Sequence, residues 1–179
     1  MIIFGSGLIL LGLAAFIAWP RSDASAEMPV SDEISTIPVE VNYAAPVLEL
    51  TAMDGKQQSL RDYLGSVVLV NIWATWCPPC KAEMPTLEAY YQAYQADGFV
   101  TVAVNDGDPD EDVAAFVQNY GLSFPVWLDP TYQATDHAFK TRNLPSSFVI
   151  DRKGNVRLRW VGEIDRDSLE KYVTPLILE

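Results

Sequence analysis

Apolar and polar positions divide this chain into three regimes. Ile2 to Trp19 carries no charged side chain across 18 positions. As a helix it would extend about 27 Å, near the hydrocarbon thickness of a bilayer, and Trp19 closes it with a residue that favours the membrane interface. Residues 20–42 are polar and dotted with proline, serine and acidic side chains, the composition of a linker. From Tyr43 onward, short apolar runs alternate with amphipathic stretches, so a folded domain is expected over 43–179. Residues 1–19 are read as a transmembrane signal anchor. Ala24-Ser25-Ala26 offers the alternative of a signal peptide cleaved after residue 26. The length of the apolar run and the absence of Lys or Arg before it favour the anchor. Arg21, on the far flank, is a weak vote against export of the domain, but both readings place that domain outside the cytoplasm.

Within the domain, Val47–Thr51 predicts a strand and Asp54-Gly55 a turn. Val67–Ala74 is a nearly unbroken apolar run rich in β-branched residues, which predicts a central strand buried on both faces. Pro78 and Pro79 suit the first turn of a helix, where a missing N–H costs nothing. Leu87, Tyr90, Tyr91 and Tyr94 continue that helix to Ala96, with Pro85 inside it as a source of a kink. The pattern then predicts a strand at Phe99–Asn105, a helix at Asp110–Tyr120 capped by Gly121, a strand at Phe124–Leu128 and a short helix at Gln133–Thr141. Ser147–Asp151 and Val156–Val161 form a hairpin, and a final helix spans Asp165–Leu178 with Asp167 and Glu170 at capping-box spacing. The order predicts a three-layer α/β sandwich with a mixed central sheet.

Composition narrows the function classes. Apolar residues make up 49% of the chain, with five Trp, eight Tyr and seven Phe, enough for a core without crosslinks. The net charge is −12 and no basic block occurs, which argues against nucleic acid as a partner.

The chemistry concentrates in WATWCPPC, Trp73 to Cys80, which holds both cysteines of the chain. The pair falls where a buried strand hands over to a helix. Free N–H groups and about half a positive charge at the helix N-terminus stabilise a thiolate there. A fall of the Cys77 pKa from about 8.5 to about 7 would leave about half of it ionised at neutral pH and make it a good leaving group. A structural staple is a poor use of the pair, because so small a loop constrains the unfolded chain by only about 2 kcal/mol. A metal clip is half furnished, since His137 is the sole histidine, although a soft metal on two thiolates alone stays open. Redox work fits best, with the cysteine couple as the reactive group and no separate cofactor or metal.

The segment VVLVNIWATWCPPCKAEMP resembles the active-site stretch of the thioredoxin superfamily, and more closely its TlpA/ResA-like branch of membrane-tethered, extracytoplasmic thiol–disulfide oxidoreductases. The resemblance runs from about Ala45 to the C-terminus. AAPVLELTAMDGKQQSLRDYLG is similar to the branch's N-terminal hairpin extension, Asp106 to Phe124 to its central strand–helix insertion, and LPSSFVIDRKGNV to its cis-proline loop. The resemblance implies a thioredoxin-like fold. It implies that Cys77 is the exposed nucleophile and Cys80 the buried resolving thiol. It also implies that Pro145 is the cis-proline facing them, that Trp76 shields the nucleophile, and that Trp76, Pro78, Leu144 and Pro145 meet the substrate. Cytosolic thioredoxins carry a buried aspartate where Asn71 stands. Asn71 cannot titrate, so Glu83, at i+3 from Cys80, is the candidate to tune or deprotonate the pair. Pro78 removes an N–H near the Cys77 sulfur, which leaves the reduction potential open.

The implied function is reduction of disulfides in exported proteins on the outer face of a bacterial plasma membrane, apocytochrome c among the substrates. A membrane thiol-reducing protein would be the electron donor, and the protein would act as a monomer held by its N-terminal helix. Two alternatives share the fold. A thiol peroxidase would carry Thr or Ser at the place of Ala74 and Pro at that of Val70. A copper-binding assembly protein would use a wider cysteine spacing and a histidine partner.

Overall fold

The computed structural model describes residues 34–35 and 37–179. The anchor at 1–19, the cleavage site at 26 and most of the linker lie outside the described residues. No helix among the described residues is long and apolar enough to cross a membrane.

The strands are β1 (Val39–Ala44), β2 (Glu49–Ala52), β3 (Gln57–Ser59), β4 (Val67–Trp73), β5 (Phe99–Asn105), β6 (Val126–Leu128), β7 (Ser146–Ile150) and β8 (Asn155–Val161). They form one mixed sheet in the order β1-β8-β7-β4-β5-β6-β2-β3. β4 runs parallel to β5 and antiparallel to β7, and β5 runs parallel to β6. The helices are α1 (Pro78–Tyr94), α2 (Asp110–Tyr120), α3 (Arg166–Ser168) and α4 (Thr174–Leu178).

All seven residues of β4 are buried, as expected of a strand covered on both faces. Side chains alternate across a sheet. Val67, Leu69 and Trp73 therefore meet Met84, Leu87 and Tyr90 of α1 in a core that also takes Val113 and Phe116 of α2 and the C-terminal helix. Val68, Val70 and Ile72 point the other way. The third layer on that second face contains no long helix. Leu48, Leu50 and Leu60 of the N-terminal hairpin and its following turn cover it, together with Ala134 and Phe139.

Several boundaries differ from the pattern, each for a local reason. The sheet begins at Val39, inside the stretch that composition reads as a linker, because β1 pairs with the β8 edge while keeping most of its side chains in water. β6 starts at Val126 rather than Phe124, since Pro125 has no N–H to give the ladder. The short helix after it is a π-helical turn, Gln133–Ala138, whose first N–H groups are held by both Asp129 oxygens at 2.9 and 2.7 Å. The last helix caps on Asp165, which accepts from Ser168 N, and not on an Asp167–Glu170 box. It passes through a π-helical stretch at Leu169–Val173, next to Pro175, which cannot donate to the carbonyl one turn back.

Arg152 ties the base of the fold together. Its guanidinium donates to the carbonyls of Gly65 (2.7 Å), Asp97 (2.9 Å) and Ile177 (2.8 Å). The three carbonyls belong to the turn before β4, the end of the first helical segment and the C-terminal helix. Replacing Arg152 with leucine should lower the urea midpoint by an amount equivalent to about 2 kcal/mol, at unchanged slope. Arg152→Lys should recover little, because a compact ammonium cannot serve three separated carbonyls.

Candidate active site

The reactive pair sits where β4 ends and α1 begins. The connecting loop is fixed before the cysteines are reached. Thr75 N donates to Asp108 Oδ2 at 2.6 Å, Asn105 Nδ2 donates to the same oxygen at 2.8 Å, and Asp108 N returns a bond to Asn105 Oδ1. Between Asn105 and Asp108 the chain needs Gly107. Its φ is +87°, and a Cβ there would lie 2.6 Å from the Tyr132 ring.

Cys77 is the N-cap of α1. Pro78 and Pro79 fill the first two helical positions and have no N–H, so the first donor available to the Cys77 sulfur is Cys80 N, at 3.3 Å. Cys77 and Cys80 form a disulfide. The two sulfurs are not equivalent. Cys77 borders a surface groove of about 300 Å³, whereas Cys80 does not and is fully buried. The expectation of an exposed Cys77 needs correction, because it is only 3% exposed in this disulfide form. The helix N-terminus and the groove rim leave the nucleophile a narrow window.

Trp76, Pro78 and Pro79 contribute to the same groove, and Trp76 is 67% exposed there. Leu144 comes from the loop before β7. The Leu144–Pro145 peptide is cis, as the resemblance implied. Pro145 itself is buried behind Leu144, and its carbonyl accepts from Gly162 N at 2.8 Å. The structure thus gathers Trp76, Cys77, Pro78 and Leu144 around one groove and places Pro145 just behind it.

Glu83 lies below the groove, not in it. It is fully buried, so it is no ordinary solvated helix carboxylate. Oε1 accepts from Asn71 Nδ2 at 2.7 Å and Oε2 from Ile164 N at 2.9 Å. Asn71 also donates to Ser147 Oγ at 2.9 Å, directly across the β4–β7 pair, and its buried Oδ1 has no partner among the described residues. Burial pushes the Glu83 carboxyl up to about 8. The bonds from Asn71 and Ile164 oppose the rise, and the Glu163 carboxylate adds to it.

Sequence reasoning missed Asp106, Arg142 and Asn143, which also line the groove. Asp106 had a readable signal, since it directly follows a parallel strand, and sites of α/β sheets gather beyond such carboxyl ends. Ser147 and Ile164 were missed for a different reason. Their roles depend on strand register and on a loop amide, which residue types do not reveal. Among the described residues, no three His, Cys, Asp or Glu side chains come together to hold a metal.

Comparison with known proteins agrees with this geometry. The AhpC/TSA family profile matches residues 41–159. The thiol-disulfide oxidoreductase ResA of Geobacillus thermodenitrificans is 35% identical over 135 residues, covering 75% of this chain and 77% of the relative. The thioredoxin-like protein YneN of Bacillus subtilis is 30% identical over 169 residues, covering 93% of this chain and 94% of the relative. Among solved structures, a Chlorobium tepidum protein assigned as the thiol:disulfide interchange protein DsbE superposes with a TM-score of 0.72 at 33% identity, covering 78% of this chain and 99% of that one. With a dithiol pair at the head of a helix, a cis-proline loop beside it and these relatives, the chain belongs to the AhpC/TSA family of thioredoxin-like proteins, as a thiol–disulfide oxidoreductase similar to ResA.

Proposed function

We propose that this oxidoreductase works as a reductant of disulfides in exported proteins, apocytochrome c among them, on the outer face of a bacterial plasma membrane. One observation carries the direction of attack: of the two sulfurs, Cys77 alone borders the groove. Cys77 thiolate attacks a substrate disulfide and forms a mixed disulfide, and one substrate thiolate leaves. Cys80 then displaces the second substrate sulfur and closes the Cys77–Cys80 bond. Two electrons pass to the substrate, and a membrane thiol-reducing protein returns them. The uncharged Ile2–Trp19 run supports tethering, and the monomer is the working unit.

Glu83 is the proton acceptor in this scheme. It stands one helical turn from Cys80, in a setting that favours its neutral form until about pH 8. The fraction present as carboxylate, which can take the Cys80 proton, therefore rises as pH approaches and passes about 8. Leu144 and Trp76 hold the substrate chain over the Cys77 window, and Pro145 supports Leu144 from behind.

Three measurements test the reading. Equilibration of the couple with glutathione or dithiothreitol buffers should give a potential near or below about −270 mV, the range of thioredoxin. A value near −120 mV, that of a strong oxidant, would reverse the direction of the proposed reaction. Cys80→Ser should accumulate a mixed disulfide through Cys77, whereas Cys77→Ser should accumulate none. Glu83 gives a stability signature that can be read in the oxidised protein, where the thiols do not titrate. Its folded pKa of about 8 lies above its ordinary value of 4.5, so the folded state holds an extra proton between them. The stability advantage of that proton is full below about pH 4.5 and lost as pH rises through about 8. Relative to Glu83→Gln, the native protein should therefore lose stability between pH 5 and 8 in urea titrations. Parallel pH profiles would remove Glu83 from the scheme.

A further inference from the structure

The groove over the disulfide has two walls of opposite charge. In the sheet β4 lies between β7 and β5. Asp106 directly follows β5 and is pinned to the end of β4, its N–H donating to Trp73 O at 2.9 Å. Arg142 precedes β7 on the other side. Both line the groove that Cys77 borders, so the reactive sulfur emerges between a carboxylate and a guanidinium.

Neither charge is consumed by the fold. Neighbouring carboxylates are occupied: Asp108 accepts from Thr75 N and Asn105 Nδ2, and Asp129 accepts from Gln133 N and Ala134 N. Asp106 accepts at Oδ1 from Thr135 Oγ1 at 3.0 Å, which fixes its orientation, while its Oδ2 takes no bond among the described residues. No ion pair joins Asp106 to Arg142 among the described residues. Arg142 is exposed and Asp106 half-buried. Partial burial matters, because charges in a recess are screened less than charges on an open surface. Asp106 feels its setting, since burial raises its carboxyl pKa, helped by Asp129, Asp136 and Asp108 and opposed by the Thr135 bond.

We propose that Asp106 and Arg142 are specificity-determining residues that read charge beside the attacked cysteine. Asp106 selects peptide disulfides carrying Lys or Arg next to that cysteine. Arg142 refuses a cation on its own wall and so fixes the direction in which the peptide lies. This inference rests on the reductase reading above. In the step concerned, Cys77 thiolate attacks the peptide disulfide, the first peptide thiolate leaves and takes a proton, and Cys80 displaces the second. The protein ends oxidised, and the peptide ends with two thiols.

The test uses the pre-reduced full chain and a set of short disulfide-linked peptides. They differ only beside the cysteine: serine on both sides, glutamate before it, lysine before it, or lysine after it. The readout is the second-order rate constant for appearance of peptide thiols, at low salt and at high salt. The serine peptide tests the reductase reading by itself, and failure to reduce it overturns that reading and this inference together. If it is reduced, the better lysine peptide should outpace the glutamate peptide by about tenfold at low salt, an advantage that high salt flattens. The two lysine isomers should differ by about threefold. Asp106→Asn, which keeps an oxygen for Thr135, should remove most of the lysine-over-glutamate preference, read as the ratio of the two rates within the variant. Arg142→Gln should bring the lysine isomers together. Glu40→Gln, the same charge change on edge strand β1, controls for the net charge of −12. If Asp106→Asn changes all peptides by one common factor, or alters the preference no more than Glu40→Gln does, the assignment of Asp106 is wrong. Unchanged isomer selectivity in Arg142→Gln overturns the role of Arg142.

Discussion

A carboxyl group without access to water holds the reactive end of this protein together. Glu83 projects from α1 into the core and takes one hydrogen bond from Asn71 on β4 and one from the Ile164 amide, which lies before the last helix. Asn71 in turn reaches Ser147 on β7. Two strands, the active-site helix and a loop thus converge on a single acidic side chain. Burying a carboxylate is expensive unless it is bonded or neutralised, and this site does some of both. The cost is tolerated where the helix bearing Cys77 and Cys80 must be held firmly against the sheet. The burial that lets this group fix α1 also raises its carboxyl pKa, so position and acidity are not separable at Glu83.

Backbone chemistry does at Cys77 what side chains do at Glu83. Most helix N-termini offer several N–H groups to a capping acceptor. Here two prolines withdraw the first two donors, and the sulfur receives its bond from the helix's third residue, Cys80. The two cysteines are therefore coupled through a main-chain hydrogen bond as well as through their disulfide. Around them the loop conformation depends on Asp108 and on the absence of a side chain at Gly107. The charged walls of the groove are supplied by chain segments that follow β5 and precede β7, so the parallel and antiparallel neighbours of β4 each deliver one charge.

Much of this was legible in the sequence. The unbroken apolar run from Val67 predicted the doubly covered strand, and the cysteine and proline spacing placed the reactive helix. The substitution of Asn71 for a titratable residue directed attention to Glu83, and the structure joins those two side chains directly. The features that stayed hidden did so for physical causes. β1 reads as linker because an edge strand on water needs no apolar face. The second face of the sheet was expected to carry helices, but leucines of the N-terminal hairpin fill it, and an apolar residue in a hairpin looks like one in any strand. The near-complete burial of Cys77 is a property of the folded groove, where its chain neighbours meet Asp106 and the loop at 142–144, and no residue type announces it. Asp106 and Arg142 looked like unremarkable surface charges because only the sheet order brings them to the same groove.

The path of the chain into the sheet has a bearing on reach. Ser35 N donates to Val161 O at the end of β8, and the next residue, Gly162, holds the Pro145 carbonyl. The described polypeptide therefore joins the sheet at the end that carries the cis-proline loop and not at the opposite end, where Arg152 gathers the turns. Ser35 thus enters the domain at the end of the sheet from which the chain turns into the cis-proline loop. Were residues 1–19 to hold the protein at a membrane, the effective concentration of Cys77 there would be set by the length and stiffness of the polar stretch after them, a rheostat for encounter frequency that leaves the sulfur chemistry untouched.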